Sequence, residues 1–257
     1  MSEEEVARCT LHVENAATSQ PATPQPATPQ PATPQPATRN LPATPAIFLD
    51  RDGTVIEQVH HLSKVEEVTV FPFAREALQL LTEQGFRCVI VTNQSAIGRG
   101  LLNEKGLSAI HEEMLRQLGQ DDLIHGIYFC PLMPTSGDPT IVESIDRKPG
   151  PGMLQRAAVE LDLDLERSWM IGDAISDMLA GRNARCRGTV LVRTGYGRKT
   201  ELEHAGEKLQ VARCRLQVGE EKELQVAGCR LQVGETIDYI TDNLLTAARL
   251  IARHDHQ

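Results

Sequence analysis

The chain has 257 residues, of which 40% are hydrophobic, enough to bury the core of one or two domains. Its net charge of −9 argues against a polyanionic partner, so we expect no binding of nucleic acid. The sequence shows neither an apolar run long enough to span a bilayer nor a signal-peptide pattern, which predicts a cytoplasmic protein with no membrane partner. The six cysteines lack C-x-x-C spacing, which favours reduced thiols over a disulfide framework.

The first 45 residues have the composition of a disordered tail. Nine of the 15 prolines lie within the first 46 residues, and Pro-Ala-Thr-Pro-Gln is repeated three times from Pro21 to Gln35. A segment with almost no large apolar side chain cannot offset the entropy of ordering by burial. We therefore predict that residues 1–45 are disordered or polyproline-II-like.

From Ala46 onward, strand patterns alternate with helix patterns. Apolar strands are predicted at 46–49, 86–91, 126–130, 169–171 and 189–193. Helices are predicted at 73–84, at 103–118, after 149 to about 161, and through 179. This alternation is typical of an α/β fold, and we predict a Rossmann-like parallel sheet with helices on both faces over residues 46–205.

The C-terminal part contains a second repeat, because residues 209–220 and 224–235 match at eleven of twelve positions. Two copies are too few for a solenoid, so the insertion at 206–235 is interpreted as either a hairpin or a disordered segment. Residues 236–257 are predicted to form a helix that docks on the α/β domain, with Thr236 as its N-cap. Its apolar stripe would consist of Ile237, Ile240, Leu244, Ala248 and Ile251.

Polar side chains follow several of the predicted strands. Asp50 and Asp52 follow the first strand, where alternate positions of an extended chain point the same way. Because the carboxyl ends of parallel strands meet at one edge of a sheet, the polar residues after the later strands should converge on the same edge. These residues are Thr92, Asn93, Lys148, Asp173 and Asp177. Each has an ordinary explanation as a turn, a helix cap or a solvated charge, but their order along the chain favours a single site.

Four motifs give the chain a resemblance to a known family. They are F-L-D-R-D-G-T at 48–54, V-T-N-Q-S at 91–95, R-K-P at 147–149 and G-D-x-x-S-D at 172–177. Together they resemble the motifs of the haloacid dehalogenase-type phosphatases, and the resemblance covers about residues 46–200. More narrowly, T-N-Q-S-x-I-x-R-G at 92–100 and R-K-P-x-P-G-M at 147–153 resemble the heptose 1,7-bisphosphate 7-phosphatases within the histidinol-phosphatase-like subfamily. The resemblance implies a domain without a large cap.

The resemblance also implies the roles of the acidic residues. Asp50 would be the nucleophile, and Asp52 would protonate the leaving sugar oxygen and later deprotonate water, which requires an anionic neighbourhood that raises its pKa. Mg²⁺ would be held by the carboxylates of Asp50 and Asp173 and by the backbone carbonyl of Asp52. Lys148 would offset part of the negative charge. The predicted catalytic residues are thus Asp50 and Asp52, and the predicted metal ligands are Asp50, Asp52 and Asp173.

Substrate recognition would fall to polar residues beside the acidic ones. By resemblance, Lys148 and the run Thr92, Asn93, Gln94 and Ser95 would bind the phosphoryl group, and Arg147 would recognise the substrate through a fork suited to a second phosphate. The implied partner is a small phosphorylated sugar, bound by a monomer.

The predicted function is Mg²⁺-dependent removal of the C7 phosphate of D-glycero-D-manno-heptose 1,7-bisphosphate through an aspartyl-phosphate. Histidinol phosphate or another small phosphoester is the alternative substrate. A non-catalytic phosphosugar-binding or scaffold protein is a more remote alternative, and Asp50, Asp52, Lys148 and Asp173 argue against it because a binding protein needs no nucleophile.

The sequence departs from the family in the loop at 131–146. Relatives often hold a zinc ion there through ligands spaced C-x-H and C-x-C. This chain has Cys130, but Leu132, Ser144 and Asp146 occupy the other three positions. A closed structural zinc site normally needs four ligands, so we predict that zinc is absent.

Overall fold

The computed structural model describes residues 43–119, 122–203 and 236–254. The predicted tail, apart from its last three residues, and the predicted insertion at 206–235 lie outside the described residues. Both interpretations therefore remain predictions.

Six parallel strands form a single sheet in the order β3-β2-β1-β4-β5-β6. The strands are β1 (Thr44–Leu49), β2 (Arg87–Asn93), β3 (Gly126–Cys130), β4 (Leu163–Gly172), β5 (Gly188–Val192) and β6 (Tyr239–Thr241). Because β1 and β4 lie side by side at the centre, the residues that follow them meet at the middle of the carboxyl edge.

The helices are α1 (Ala74–Glu83), α2 (Ser95–Gly98), α3 (Glu104–Leu118), α4 (Gly152–Leu161), α5 (Ile175–Asn183), α6 (described over 197–203) and α7 (Leu244–His254). The caps of α3 are those that the sequence predicts: the side chain of Asn103 accepts a hydrogen bond from the Gly106 N–H, and Gly119 has φ 98°. None of the described helices is long and apolar enough to cross a membrane.

The helices cover both faces of the sheet, as predicted. Alternation along β1 directs Ile47 and Leu49 into one core, which also contains buried residues of α1, α3 and α7. Ala46 and Phe48 point into the opposite core, which they share with buried residues of α4 and α5. The segments after β1 and β3 are loops with short turns, so no separate cap domain is inserted there in the described part of the chain. The predicted α/β class without a large cap is confirmed.

Two strands begin earlier than predicted. β1 starts at Thr44, inside the segment assigned to the tail, because Thr44 pairs with Leu163 across a register shift between Pro45 and Ile47. The same pairing extends β4 back to Leu163 instead of Trp169. Polar residues such as Asp164 and Arg167 do not fit an apolar strand pattern, so the sequence does not predict this extension. The segment is extended because it pairs with the neighbouring strand.

The predicted start of the last helix is wrong. Residues Tyr239–Thr241 form a strand parallel to β5, and the helix begins only at Leu244. The Asp238 side chain accepts a hydrogen bond from the Thr189 N–H at 2.7 Å, which fixes the segment beside β5. Asn243 caps the helix, since its Oδ1 accepts from the Thr246 N–H at 3.0 Å. Within α7, the predicted stripe residues Leu244, Ala248 and Ile251 are buried.

Three cysteines lie in the described residues, and all are free and buried: Cys88, Cys130 and Cys186. Burial raises the pKa of Cys88 and that of Cys186 to about 12, so neither forms a reactive thiolate near neutral pH. Reduced thiols therefore remain a prediction, and Cys9, Cys214 and Cys229 lie outside the described residues.

Candidate active site

The central strands deliver two carboxylates to the same edge of the sheet. Asp50 follows β1, and its backbone N–H donates to the Ile171 carbonyl of β4 at 2.9 Å. Asp173 follows β4, and Asp177 lies in the first turn of α5. One ligand oxygen from each of Asp50, Asp173 and Asp177 lies within 4.8 Å of the other two. The parallel pairing of β1 and β4 therefore builds a compact carboxylate cluster.

Lys148 is the cation of this cluster. Its Nζ lies 2.6 Å from Asp50 Oδ1, 2.6 Å from Asp177 Oδ1 and 2.8 Å from the Val91 carbonyl oxygen. An ammonium group has three N–H donors, so all three are used although the side chain is almost fully buried. Two carboxylates in contact outweigh the cost of burial and raise the pKa of Lys148. The lysine is therefore a fixed positive charge between Asp50 and Asp177.

The backbone orients the other two carboxylates. The Tyr196 N–H donates to Asp173 Oδ2 at 2.7 Å, and the Ala174 N–H donates to Asp177 Oδ2 at 3.0 Å. The hydroxyl of Thr200, in α6, donates to the Asp173 carbonyl oxygen at 2.9 Å. The segment after β5 thus supports Asp173, a contribution that the motifs of the sequence do not indicate.

Two glycines leave room for Asp173. A Cβ atom at Gly53 would lie 2.1 Å from Asp173 Oδ2, and one at Gly195 would lie 2.0 Å from the same oxygen. Both residues also have positive φ, 80° and 54°, which disfavours any side chain. The hydroxyl of Thr194 donates to the Gly53 carbonyl, so the loops after β1 and β5 are joined at this point.

Burial and mutual repulsion shift the titration of the cluster. Burial raises the pKa of Asp50 to about 7, with Asp177 and Asp52 adding to the increase and Lys148 opposing it. Burial, with the charges of Asp50 and Asp177, also raises the pKa of Asp173 well above its usual range. When all three carboxylates are ionised, they and the Lys148 ammonium carry a net charge of −2, which a divalent cation would balance.

The donor set is also suited to such an ion. Carboxylate oxygens are the ligands that hard divalent cations prefer, and the oxygens lie close enough to share one ion. Among the described residues, Asp50, Asp173 and Asp177 are the one group of potential ligands that meets this condition. The strand order predicted from the sequence places Asp177 at this edge, but the family resemblance assigns it no role. The residue belongs to the G-D-x-x-S-D motif, which is the signal that identifies it.

Asp52 is not one of these three carboxylates, and its hydrogen-bond partners are different. Its carboxylate accepts hydrogen bonds from Arg51 Nε at 3.1 Å, from Arg51 Nη2 at 3.0 Å and from Gln94 Nε2 at 3.0 Å. The family resemblance implies an anionic neighbourhood for Asp52. In the structure, however, a guanidinium group touches Asp52. Sequence spacing cannot predict this contact, because neighbouring residues of a strand normally point to opposite faces.

Some of the polar residues after β2 form hydrogen bonds that orient other residues of the site. The Asn93 amide donates to the Lys148 carbonyl at 3.0 Å and accepts from the Lys148 N–H at 3.1 Å, so it fixes the backbone that carries the lysine. Gln94 Nε2 donates to Thr92 Oγ1 at 2.8 Å as well as to Asp52. Thr92 is buried beside the cluster, and Ser95 begins α2 and is half-buried.

Arg147 lies on the loop side of the site. Its Nη1 donates to the Leu132 carbonyl at 2.7 Å, and the side chain is half-buried. Burial, together with the positive charge of Arg99, lowers the pKa of Arg147 from its usual value. Arg99 is therefore close enough to Arg147 for their positive charges to repel each other.

The residues at the four positions of the zinc site that the family resemblance describes differ in burial and in hydrogen-bond partners. Cys130 is buried at the end of β3, while Leu132 is exposed. Asp146 Oδ1 pairs with Arg156 Nη1 at 3.1 Å, and Ser144 Oγ accepts from the Asp146 N–H at 3.4 Å. The carboxylate of Asp146 is therefore already paired with Arg156.

This fold, with an aspartate after the first central strand and a lysine and two further aspartates around it, defines a haloacid dehalogenase-like hydrolase. A family model described as "HAD-hyrolase-like" matches residues 145–213. The D-glycero-beta-D-manno-heptose-1,7-bisphosphate 7-phosphatase of Pasteurella multocida (strain Pm70) is 42% identical over 154 residues, covering 58% of this chain and 82% of that protein. The protein of the same name from Escherichia coli (strain K12) is 37% identical over 167 residues, covering 64% and 87%.

A solved structure supports the same assignment. The D,D-heptose 1.7-bisphosphate phosphatase from B. bronchiseptica, complexed with magnesium and phosphate, superposes with a TM-score of 0.61 at 29% identity. The match covers 82% of this chain and 99% of that one. The chain belongs to the D-glycero-D-manno-heptose-1,7-bisphosphate 7-phosphatase family.

Proposed function

We propose that the protein removes the C7 phosphate of D-glycero-D-manno-heptose 1,7-bisphosphate by attack of Asp50 on phosphorus. The observation that carries the proposal is the contact of Asp50 with Lys148 inside a buried cluster of carboxylates. Lys148 occupies Asp50 Oδ1, whereas Asp50 Oδ2 accepts no hydrogen bond from any described residue. One oxygen is therefore held in place and the other is free to attack.

Mg²⁺ fits the remaining charge and the oxygen ligands of the cluster. Asp50, Asp173 and Asp177 would hold it, together with the Asp52 carbonyl that the family resemblance assigns. The ion, when bound, offsets the repulsion between a carboxylate and a phosphate, which costs about 4 kcal/mol for unit charges about 4 Å apart at an effective dielectric near 20. Lys148 contributes a second positive charge that is already in place in the protein.

The reaction proceeds in two displacements. An Asp50 oxygen forms a bond to phosphorus while the bond from phosphorus to the sugar oxygen breaks, and Asp52 gives that oxygen a proton. Water then attacks the aspartyl-phosphate, Asp52 takes the proton of the water, and inorganic phosphate and the free Asp50 carboxylate are released. Both steps need Asp52 at a defined place beside Asp50.

Recognition of the substrate rests on residues around the cluster. The Thr92 hydroxyl accepts from Gln94, so its own proton remains to be donated to a phosphoryl oxygen. Gln94 and Ser95 continue this polar wall, and Asn93 acts through the backbone of Lys148. Arg147 and its neighbour Arg99 provide positive charge for the second phosphate of a small phosphorylated sugar.

A panel of phosphate monoesters tests the proposal. Purified protein with excess Mg²⁺ is assayed for phosphate release from heptose 1,7-bisphosphate, histidinol phosphate and a simple aryl phosphate. We expect kcat/KM to be highest for the heptose bisphosphate, with phosphate released from C7. A higher value for histidinol phosphate would reassign the substrate. Binding of the sugar without phosphate release from any ester would favour a non-catalytic protein.

A further inference from the structure

Arg51 is a fully buried cation that the proposed reaction does not use. Its relative exposure is 0%, and it lies in the chain between Asp50 and Asp52. A buried guanidinium is stable only when its N–H groups have partners, because its charge has been removed from water. The identity of those partners therefore indicates what the residue does.

On one side, Arg51 binds the carboxylate of Asp52. Nε and Nη2 donate to the two oxygens of the Asp52 carboxylate at 3.1 and 3.0 Å, and Gln94 donates to Oδ2 from a third direction. A planar fork of this kind fixes the orientation of a carboxylate as well as its position. Hydrogen bonds therefore fix both oxygens of the Asp52 carboxylate.

On the other side, Arg51 contacts His111 of α3. Arg51 Nη1 lies 3.2 Å from His111 Nε2, in a buried environment. Because a guanidinium can only donate, the imidazole must accept, so Nε2 carries no proton and the ring is neutral with its proton on Nδ1. Burial and the neighbouring Arg51 charge lower the pKa of His111 to about 4, which keeps the ring in the accepting form.

The three side chains form a linear chain of contacts from α3 to the site. His111 fixes the far end of the guanidinium, and the guanidinium fixes the carboxylate. Without an acceptor at His111, Arg51 Nη1 would be buried without this partner, and the fork would rotate or shift to regain one. Such a movement would carry Asp52 with it.

We propose that His111 is a positioning residue that, through Arg51, fixes the Asp52 carboxylate in the orientation required for proton transfer. The inference rests on the proposed phosphatase function and adds a residue outside the four sequence motifs. His111 acts on the acid–base residue Asp52 through Arg51, which lies between them. Its loss should therefore slow proton transfer in the transition state while substrate binding stays almost unchanged.

Three substitutions at one position separate positioning from general stability. His111→Leu removes the acceptor. His111→Asn keeps a polar group that reaches only the place of Nδ1, and His111→Gln places an amide oxygen near the place of Nε2. His125→Leu is the matched control, because its ring nitrogen also accepts a hydrogen bond, from the Cys88 N–H at 3.3 Å, at the opposite edge of the sheet.

The measurement is kcat and KM for an aryl phosphate and for the heptose bisphosphate with saturating Mg²⁺. We expect kcat to fall about tenfold or more in His111→Leu and His111→Asn, with KM within about twofold of wild type. His111→Gln should retain kcat within about threefold, and His125→Leu should leave kcat unchanged. This pattern is specific, since a general loss of stability would not spare the glutamine variant.

Two results would overturn the proposal while leaving the phosphatase function intact. One is a kcat in His111→Asn within about twofold of wild type, and the other is a loss in His111→Gln as large as in His111→Asn. If His111→Leu does not fold, the asparagine and glutamine pair alone decides. No phosphate release by the wild-type protein would overturn the phosphatase function itself, and this inference with it.

Discussion

The carboxylate cluster and the loop at 131–146 lie near each other at the carboxyl edge of the sheet but are held together differently. The cluster depends on contacts between residues far apart in the chain, such as Lys148 with Asp50 and with Asp177. The loop depends on local hydrogen bonds, such as those from the Thr135 and Ser136 N–H groups to Glu143. It also exposes large apolar side chains: Leu132, Met133, Ile141, Val142 and Ile145.

This difference determines how each region should respond to change. Removal of Lys148, the cation of the cluster, leaves buried carboxylates uncompensated, which is among the most destabilising effects known for a single substitution. In the loop, water can replace a lost side-chain partner, because most of the groups involved are exposed. Changes in the cluster should therefore have large effects on activity or on stability, whereas changes in the loop should have small effects on both.

The largest effect is expected for Asp50→Asn. The amide has the same shape but neither attacks phosphorus nor carries the charge that a metal ion needs, so turnover should fall at least about a thousandfold. The fold should persist, since the substitution removes one of several crowded negative charges. Phosphate release and circular dichroism measured on the same preparation check both parts. Substantial activity in a clean preparation would refute the assignment of the nucleophile.

The next effect is on stability and comes from Lys148→Met. The thioether fills similar space but leaves Asp50 and Asp177 without their shared cation, which should cost about 3–5 kcal/mol in the free energy of unfolding. Lys64→Met is the matched control, because Lys64 is exposed and its contact with Glu67 is 3.9 Å long. Denaturant unfolding of both variants, without added metal, makes the comparison. Equal stabilities would mean that the cluster needs no compensation.

A smaller effect on the free energy of unfolding is expected when His111 is protonated at low pH. The pKa of His111 is lowered from 6.5 to about 4 in the folded protein, mainly by burial and then by Arg51, against a weaker opposing effect of Asp52. Its stabilising contribution is therefore present above about pH 6.5 and is lost as the pH falls towards about 4, because the unfolded chain takes up the proton first.

Unfolding of wild type and His111→Gln at two pH values measures this loss. Between about pH 7 and about pH 5, wild type should lose about 2 kcal/mol in the free energy of unfolding relative to His111→Gln. A difference that does not change with pH would show that the ring is not held neutral.

The smallest expected effect is that of zinc removal on the loop. With Leu132 apolar and Asp146 paired with Arg156, a zinc-selective chelator should leave the Mg²⁺-dependent activity unchanged. Elemental analysis of tag-free protein should find no stoichiometric zinc. Stoichiometric zinc that is lost together with activity in Cys130→Ser would contradict the prediction and would make the loop as sensitive as the cluster.

Most of the fold could be read from local signals. Asn103 and Gly119 mark the ends of α3 because capping depends on the residues next to the helix. The apolar strands and the acids that follow β1 and β4 predicted a parallel sheet with a charged edge, since strand direction fixes which ends meet. Motif resemblance then supplied the enzyme family that the comparisons show.

Most of the order of elements and the set of charged residues at one edge follow from the sequence, because both depend on short-range periodicity and strand direction. Tertiary structure alone decided that Thr44 and Tyr239–Thr241 are strands, since a short segment becomes extended only beside a partner strand. It also decided that Lys148 joins Asp177, and that Arg51 joins Asp52 to His111, 60 residues away. Contacts over such separations depend on packing geometry, which no local pattern in the sequence encodes.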